Sequence, residues 1–216
     1  MRFAVLLTLA NGFLDAHTYI ARGGVFANVQ TANVIFSAIH LSQHRFYTAL
    51  AHVWPLLAFI AGALLAAHIK SGRMERILPH SLRWTMGFQA IALGIMGFVP
   101  ATVDHFVVTV PISFLAGVQI GLFRSVGDLG YLPVATTGAL ASVMESAYNT
   151  VVEKTPAARH AFAVYASLII AFAVGALIGA YATEAWGVHA IWLAAGFLTV
   201  TLCLFIIEDP TDLHSR

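Results

Sequence analysis

The stretch Ala58-Phe59-Ile60-Ala61-Gly62-Ala63-Leu64-Leu65-Ala66-Ala67 decides the fold: ten consecutive residues carry no charge and no hydrogen-bonding side chain. It sits inside a longer apolar segment, Ala49–Ile69. As a helix that segment reaches about 30 Å, the thickness of a bilayer's hydrocarbon core. Outward from it, seven further segments stand between charges or prolines: Phe3–Ile20, Val25–Leu41, Trp84–Val99, Phe106–Phe123, Leu132–Val152, His160–Ala182 and Trp186–Ile207. Composition agrees. Of 216 residues 59% are hydrophobic and 10% charged, whereas a soluble domain carries about 25% charged residues. So few charges cannot coat a water-facing surface. The expected fold is an all-α, polytopic transmembrane helical bundle of six to eight membrane segments, a single integral membrane domain over 1–216 with the lipid bilayer as its main partner.

The net charge of +1 supplies no basic field, and no Lys/Arg cluster is interleaved with aromatics, so nucleic acid is excluded as a partner. Cys203 is the single cysteine, which rules out an internal disulfide. Arg2 followed by an apolar run superficially resembles a signal peptide. Asn11, Asp15 and His17 follow without a cleavage pattern, so an uncleaved first helix is expected.

The chain repeats itself. Ala58–Ala67 aligns with Ala171-Phe172-Ala173-Val174-Gly175-Ala176-Leu177-Ile178-Gly179-Ala180, six of ten positions being identical. Upstream, Thr31-Ala32 matches Thr137-Gly138, and Gly12-Phe13 matches Gly117-Val118, in the same order. A duplication, with repeats 1–102 and 103–207, accounts for the ordered matches better than chance among Ala/Gly/Leu-rich helices. Two segments at corresponding places are too polar to face lipid. Val25–Leu41 holds Asn28, Gln30, Thr31, Asn33 and Ser37; Leu132–Val152 holds Thr136, Thr137, Ser142, Glu145 and Asn149. The densest basic loop, with Lys70, Arg73, Arg76 and Arg83, belongs on the cytoplasmic side. If all eight segments span, the halves are parallel and both termini lie outside. If the polar pair is re-entrant or broken, six spans remain, the halves are inverted and the termini lie inside. Irregular backbone at membrane depth is tolerated only in a protein-lined or watery setting, and paired polar segments favour the six-span parse.

Gly12-Phe13-Leu14-Asp15-Ala16, Gly23-Gly24-Val25-Phe26-Ala27-Asn28 and Gln30-Thr31-Ala32-Asn33, with Gly117-Val118-Gln119 and Thr136-Thr137-Gly138 further on, resemble the YoaK-like family of multi-pass bacterial membrane proteins. The resemblance covers essentially the whole chain and implies a multi-pass bacterial inner (plasma) membrane protein with no settled activity. Gln30 and Ala32 stand where that family usually has Met and Gly, and Ile120 where it usually has Asn.

Asp15 is the foremost site candidate, with Asn11 one turn before it on the same helix face. A carboxylate at mid-membrane costs about 2.5–3.5 kcal/mol, so it needs a partner or water. It serves either a proton or cation site or the capping of a glycine-rich break. Glu145, with Asn149 one turn on, is its counterpart in the second half. Thr31 and the Thr136-Thr137 pair sit beside small residues, and Asn28, Gln30, Asn33 and Gln119 add amides; together they form a substrate or ion pathway or, alternatively, glue between helices. Gly62, Gly117, Gly121, Gly175 and Gly179 make small-xxx-small faces for helix packing within the chain or between protomers. Arg124 and Asp128 serve as a surface anchor or a gating pair. His40 and His44 have the spacing of a metal pair, but no carboxylate or cysteine completes a ligand set, so no metal is expected. Trp54, Trp84, Trp186 and Trp192 mostly fall near segment boundaries, as an aromatic belt does.

No nucleotide-binding or nucleophile motif appears, so no cofactor, catalytic residue or enzymatic activity is expected. The function expected is a small-solute transporter or permease with a polar midplane site between the two repeats. Asp15 or Glu145 would couple it to a proton or cation, and the glycine faces would support a homodimer. An interaction or assembly protein without transport is the alternative, and an intramembrane enzyme a more distant one.

Overall fold

The computed structural model describes residues 2–70, 81–122, 125–126, 129–130, 136–152 and 154–208; Arg73, Arg76, Arg124 and Asp128 lie outside them. Among the described residues the chain forms α1 Arg2–Ala21, α2 Gln30–Ser42, α3 Phe46–His68, α4 Ser81–Met96, α5 Phe106–Leu122, α6 Thr136–Val152, α7 Pro156–Trp186 and α8 Ile191–Glu208. A 3-10 turn, Gly187–Ala190, joins α7 to α8. A two-residue antiparallel ladder, β1 Ser125–Val126 with β2 Leu129–Gly130, follows α5. The molecule is an all-helical membrane bundle. By length and composition α1, α3 and the α7–α8 stretch Pro156–Ile207 are long and apolar enough to cross a membrane. At 13 residues, α2 reaches only about 20 Å and is too short to do so.

Side-chain contacts give each helix a direction. Phe3 meets Phe205 with ring centroids 5.2 Å apart, Arg83 lies over the same ring, and Ala4 packs on Val164 and Leu168. One end of the bundle, the Phe3 end, therefore gathers the starts of α1, α4 and α7 with the finish of α8. At the other end Arg22 donates to the carbonyls of Val99 and Pro100, Trp192 donates to Gly94, and Tyr47 donates to Asp104. This Arg22 end gathers the finishes of α1, α4 and α7 with the starts of α3, α5 and α8. Consequently α1, α4 and α7 run one way and α3, α5 and α8 return. α2 ends beside the start of α3, at the Arg22 end, and α6 ends beside the start of α7, at the Phe3 end.

Parallel pairs hold the bundle together. α1 lies along α7 and α3 along α5, so closely that backbone meets backbone. A Cβ on Gly12 would collide with the Phe172 carbonyl, one on Gly117 with Phe59, one on Gly62 with Phe114, and one on Gly175 with Leu9. With little hydrophobic drive between helices in lipid, this close van der Waals contact supplies the attraction. Around it sits an apolar core of Leu7, Phe13, Leu14, Met86, Leu93, Ile112, Ile191 and Leu198.

One expected segment is corrected. Of the segment Val25–Leu41, only the part from Gln30 is helical, because Gly23 and Gly24 take φ of +74° and +76° and break the chain before it. These are left-handed values that glycine adopts without a Cβ clash and that end a helix. α7 in turn starts earlier than His160, at Pro156, because Thr155 caps it by accepting from Ala158 N at 3.2 Å and proline suits the first helical position.

Candidate functional site

The two left-handed glycines turn the chain back along the helix it has just left. Successive donors then find partners ever deeper on α1. Gly24 N donates to Tyr19 O at 3.0 Å, Ala27 N to Thr18 Oγ1 at 3.2 Å, Asn28 N to Asp15 Oδ1 at 2.9 Å, and Asn28 Nδ2 to Asn11 O at 3.2 Å. The loop thus descends from the Arg22 end to the middle of the 20-residue α1. Non-helical backbone at that depth must have its polar groups paired inside the protein, and side chains do most of the pairing here.

Asn33 clamps the loop. Its Oδ1 accepts from Phe26 N at 3.1 Å, while its Nδ2 donates to Phe26 O at 2.6 Å and to Gln30 Oε1 at 3.1 Å. The side-chain amide thus substitutes for a neighbouring strand. His52 of α3 completes the clamp with Nδ1 3.2 Å from Asn33 Oδ1. Because that oxygen only accepts, His52 carries its hydrogen on Nδ1. Its ring stacks on His40 at 5.4 Å. From α5, Ser113 Oγ donates to Ala27 O at 2.6 Å, and Gln30 Nε2 donates to the same carbonyl at 2.9 Å.

The pairing is incomplete at one corner. Asn11, Asp15 and Asn28 are 1%, 3% and 3% exposed, yet Asn11 Nδ2, Asp15 Oδ2 and Asn28 Oδ1 have no hydrogen-bond partner. A second incomplete pair links α4 to α5. Gln89 Nε2 donates to Gln119 Oε1 at 3.4 Å, leaving Gln89 Oε1 and Gln119 Nε2 unpartnered. Buried polar atoms without partners cost about 1–3 kcal/mol each, so these two corners are the energetically unsatisfied parts of the polar cluster. Among the described residues no group of three or more His, Cys, Asp or Glu is placed to hold a metal ion.

The structure brings together Asn11, Asp15, Asn28, Gln30 and Asn33, and sets Gln119 against Gln89. Thr31, Thr137 and Glu145 are exposed on the outside of the chain, and Asn149 is half-buried there. Thr136 opens α6, and its side chain lies outside the described ones. Gly62, Gly117, Gly121, Gly175 and Gly179 all abut a neighbouring helix of the same chain. Several residues escaped sequence reasoning: Ser113, His52, Gln89, the fully buried Arg22 that donates to carbonyls of the turn after α4, and His17, whose Nδ1 lies 3.0 Å from Thr183 Oγ1 on α7. Their partners lie far along the chain, and only a lone polar side chain in or beside an apolar helix hints at each.

A tightly packed bundle of apolar helices with a polar loop folded into its middle defines a polytopic helical membrane protein. The chain belongs to the family described as "Protein of unknown function (DUF1275)", which matches residues 3–204. It is similar to the UPF0700 transmembrane protein YoaK of Bacillus subtilis (strain 168), with 26% identity over 196 residues, covering 87% of this chain and 86% of the relative. No solved structure matches.

Proposed function

We propose that this chain is a small-solute transporter or permease of the bacterial inner membrane. Its polar site lies near the midplane between two inverted repeats, 1–102 and 103–207. The observation that carries transport is the broken backbone at mid-depth, Gly23–Val29, packed against a buried carboxylate with polar atoms left unpartnered beside it. Discontinuous segments at the membrane midplane are where transporters bind solutes and coupling ions.

The duplication is supported by reciprocity of packing. Gly12 against Phe172 has its counterpart in Gly117 against Phe59, and Gly175 against Leu9 in Gly62 against Phe114. The turns before α3 and α7 repeat as well: His44 and Lys154 take φ of 57° and 55°. Corresponding helices α1 and α5 run in opposite directions, as inverted halves must. On this plan α1, α3, α4, α5, α7 and α8 cross, while α2 and α6 enter from opposite ends and return. Lys70 and Arg83 flank the connection at the Phe3 end, and the bias of cations toward the cytoplasmic face favours that side for this end. The glycine faces are occupied within the chain, which leaves homodimer contacts to the exposed apolar faces.

Two experiments test the proposal. In proteoliposomes holding a pH-sensitive or cation-sensitive dye, one class of small polar solute is expected to drive proton or cation movement, and Asp15→Asn to abolish it at unchanged protein level. Silence across a broad solute panel argues against transport, and undiminished flux in the variant removes Asp15 from coupling. For topology, single cysteines at Val29 and Gln43, on a Cys203→Ser background, are expected to react only with reagent from the outer face. Labelling of the two ends from opposite faces rejects the six-span plan.

A further inference from the structure

Arg22 is 0% exposed, and a buried charge is costly unless an opposite charge meets it. None does among the described residues. Asp15 stands seven residues earlier, about 10 Å back along α1, and accepts from Asn28. Asp104 accepts from Tyr47. Glu145 and Glu184 are exposed, and Glu208 closes α8 at the Phe3 end. The guanidinium is met by two carbonyls instead, Pro100 O at 3.1 Å from Nη1 and Val99 O at 2.7 Å from Nη2. Carbonyl dipoles just past a helix end favour a cation by a fraction of a charge, but they bring no net charge of their own.

The hydrogen bonding is incomplete as well. A guanidinium has five N–H groups. Two bonds are made here, and Nε is buried with no acceptor. Nε–H and the Nη–H beside it form the flat edge that receives both oxygens of a carboxylate. A second buried nitrogen without a partner, Nδ1 of His105, belongs to the ring that packs on Gly23, the next residue.

The charge is also shallow. Gly23, its chain neighbour, and Pro100, its hydrogen-bond partner, are both exposed, so the guanidinium lies just beneath the surface of the Arg22 end. The turn over it leaves space: an added Cβ on Gly24 would meet only Tyr19, at 3.9 Å.

We infer that Arg22 is an anion-binding site and that its ligand is a small monocarboxylate, whose two oxygens accept from Nε–H and the neighbouring Nη–H. Charge and shape select this class. A doubly charged phosphate would leave net negative charge against the Val99 and Pro100 oxygens. A halide offers one point where the edge offers two donors, and a neutral amide brings no charge. Binding changes no covalent bond: the carboxylate exchanges water for N–H groups that lack acceptors. That a carboxylate held here is the solute carried rests on the transport reading; the site itself does not.

The test uses the full chain in nanodiscs, with sodium propionate as the probe. A ligand that binds only the folded state raises the unfolding midpoint. Propionate is expected to raise it saturably, whereas sodium chloride at the same concentration, or chloride with propionamide, leaves it flat. Arg22→Lys keeps the charge without the flat edge. It is expected to bind propionate about tenfold or more weakly, the loss of one charge-assisted hydrogen bond. The second readout is solid-state NMR of the parent with ¹⁵N-labelled arginine and carboxyl-¹³C propionate. The carboxyl carbon is expected within about 4 Å of one Nε whose N–H is protected from exchange with heavy water, the spacing of a bidentate pair. This measurement serves alone where Arg22→Lys fails to fold. An equal rise in chloride or propionamide, no rise in propionate, affinity unchanged in Arg22→Lys, or contact confined to freely exchanging arginines overturns the site. Propionate held at Arg22 with no solute flux in proteoliposomes overturns transport alone. Flux of a solute without a carboxylate, with no propionate bound, overturns the site alone.

Discussion

Asn33→Leu removes the clamp while keeping the side-chain volume near its original size. Four hydrogen bonds are lost: two to Phe26, one to Gln30 and one from His52. Two estimates bound the cost. Side-chain hydrogen bonds measured inside membranes average about 0.6 kcal/mol each, so four give roughly 2 kcal/mol. Leaving the Phe26 N–H and C=O without partners at membrane depth costs about 1–3 kcal/mol apiece, or roughly 2–6 kcal/mol together. A destabilisation of about 2–6 kcal/mol is therefore expected. Asn33→Asp keeps the acceptor but loses both donated bonds, and is expected to fall between Asn33→Leu and the parent. Reversible unfolding in mixed micelles, followed by tryptophan fluorescence, reads the difference. Proteolysis within residues 22–29 is expected to accelerate, because the loop opens before the bundle does. A loss below about 0.5 kcal/mol, within the range of an ordinary surface substitution, refutes the view that this amide holds the loop.

Two further outcomes follow from the packing. Gly117→Leu is expected to prevent stable folding, since even a Cβ meets the Phe59 carbonyl, whereas Gly94→Leu, with nothing within 4 Å of the added atom, is tolerated; yields on size-exclusion chromatography separate the two. Arg22→Met removes two donors to the carbonyls of Val99 and Pro100 and is expected to cost about 3–6 kcal/mol, read by thermal unfolding, because hydrogen bonds to a charged group contribute about 1.5–3 kcal/mol each.

Much of the bundle was legible because lipid imposes a simple demand: a helix facing it must be apolar for its whole length. Phe106–Phe123 and Ala49–Ile69 needed nothing else, and α5 and α3 lie within a few residues of them. The start of α2 was missed because Val25-Phe26-Ala27 is as apolar as any helix, and the break is set one step earlier by Gly23 and Gly24. At the site, Asn33 with Phe26 and Asn28 with Asp15 are near neighbours in sequence, so the polar cluster announced itself. Composition does not carry the tertiary choices. Glu145 and Asp15 look alike as single carboxylates in apolar segments, but one is exposed and the other is held by a folded-back loop. Ser113 and Thr183 acquire their roles from helices that meet only in three dimensions.

The interleaved parallel pairs also bear on how the protein is made. His17 and its partner Thr183 are 166 residues apart, and at ribosomal speeds of about 5–20 residues per second the second arrives about 10–30 s after the first. During that interval α1 has entered the membrane with its glycine seam open and Asp15 without the bundle around it. A chain built this way depends on whatever shelters a polar first helix until translation ends. Its two halves, synthesised as separate polypeptides, should find each other only if both are present in the bilayer together.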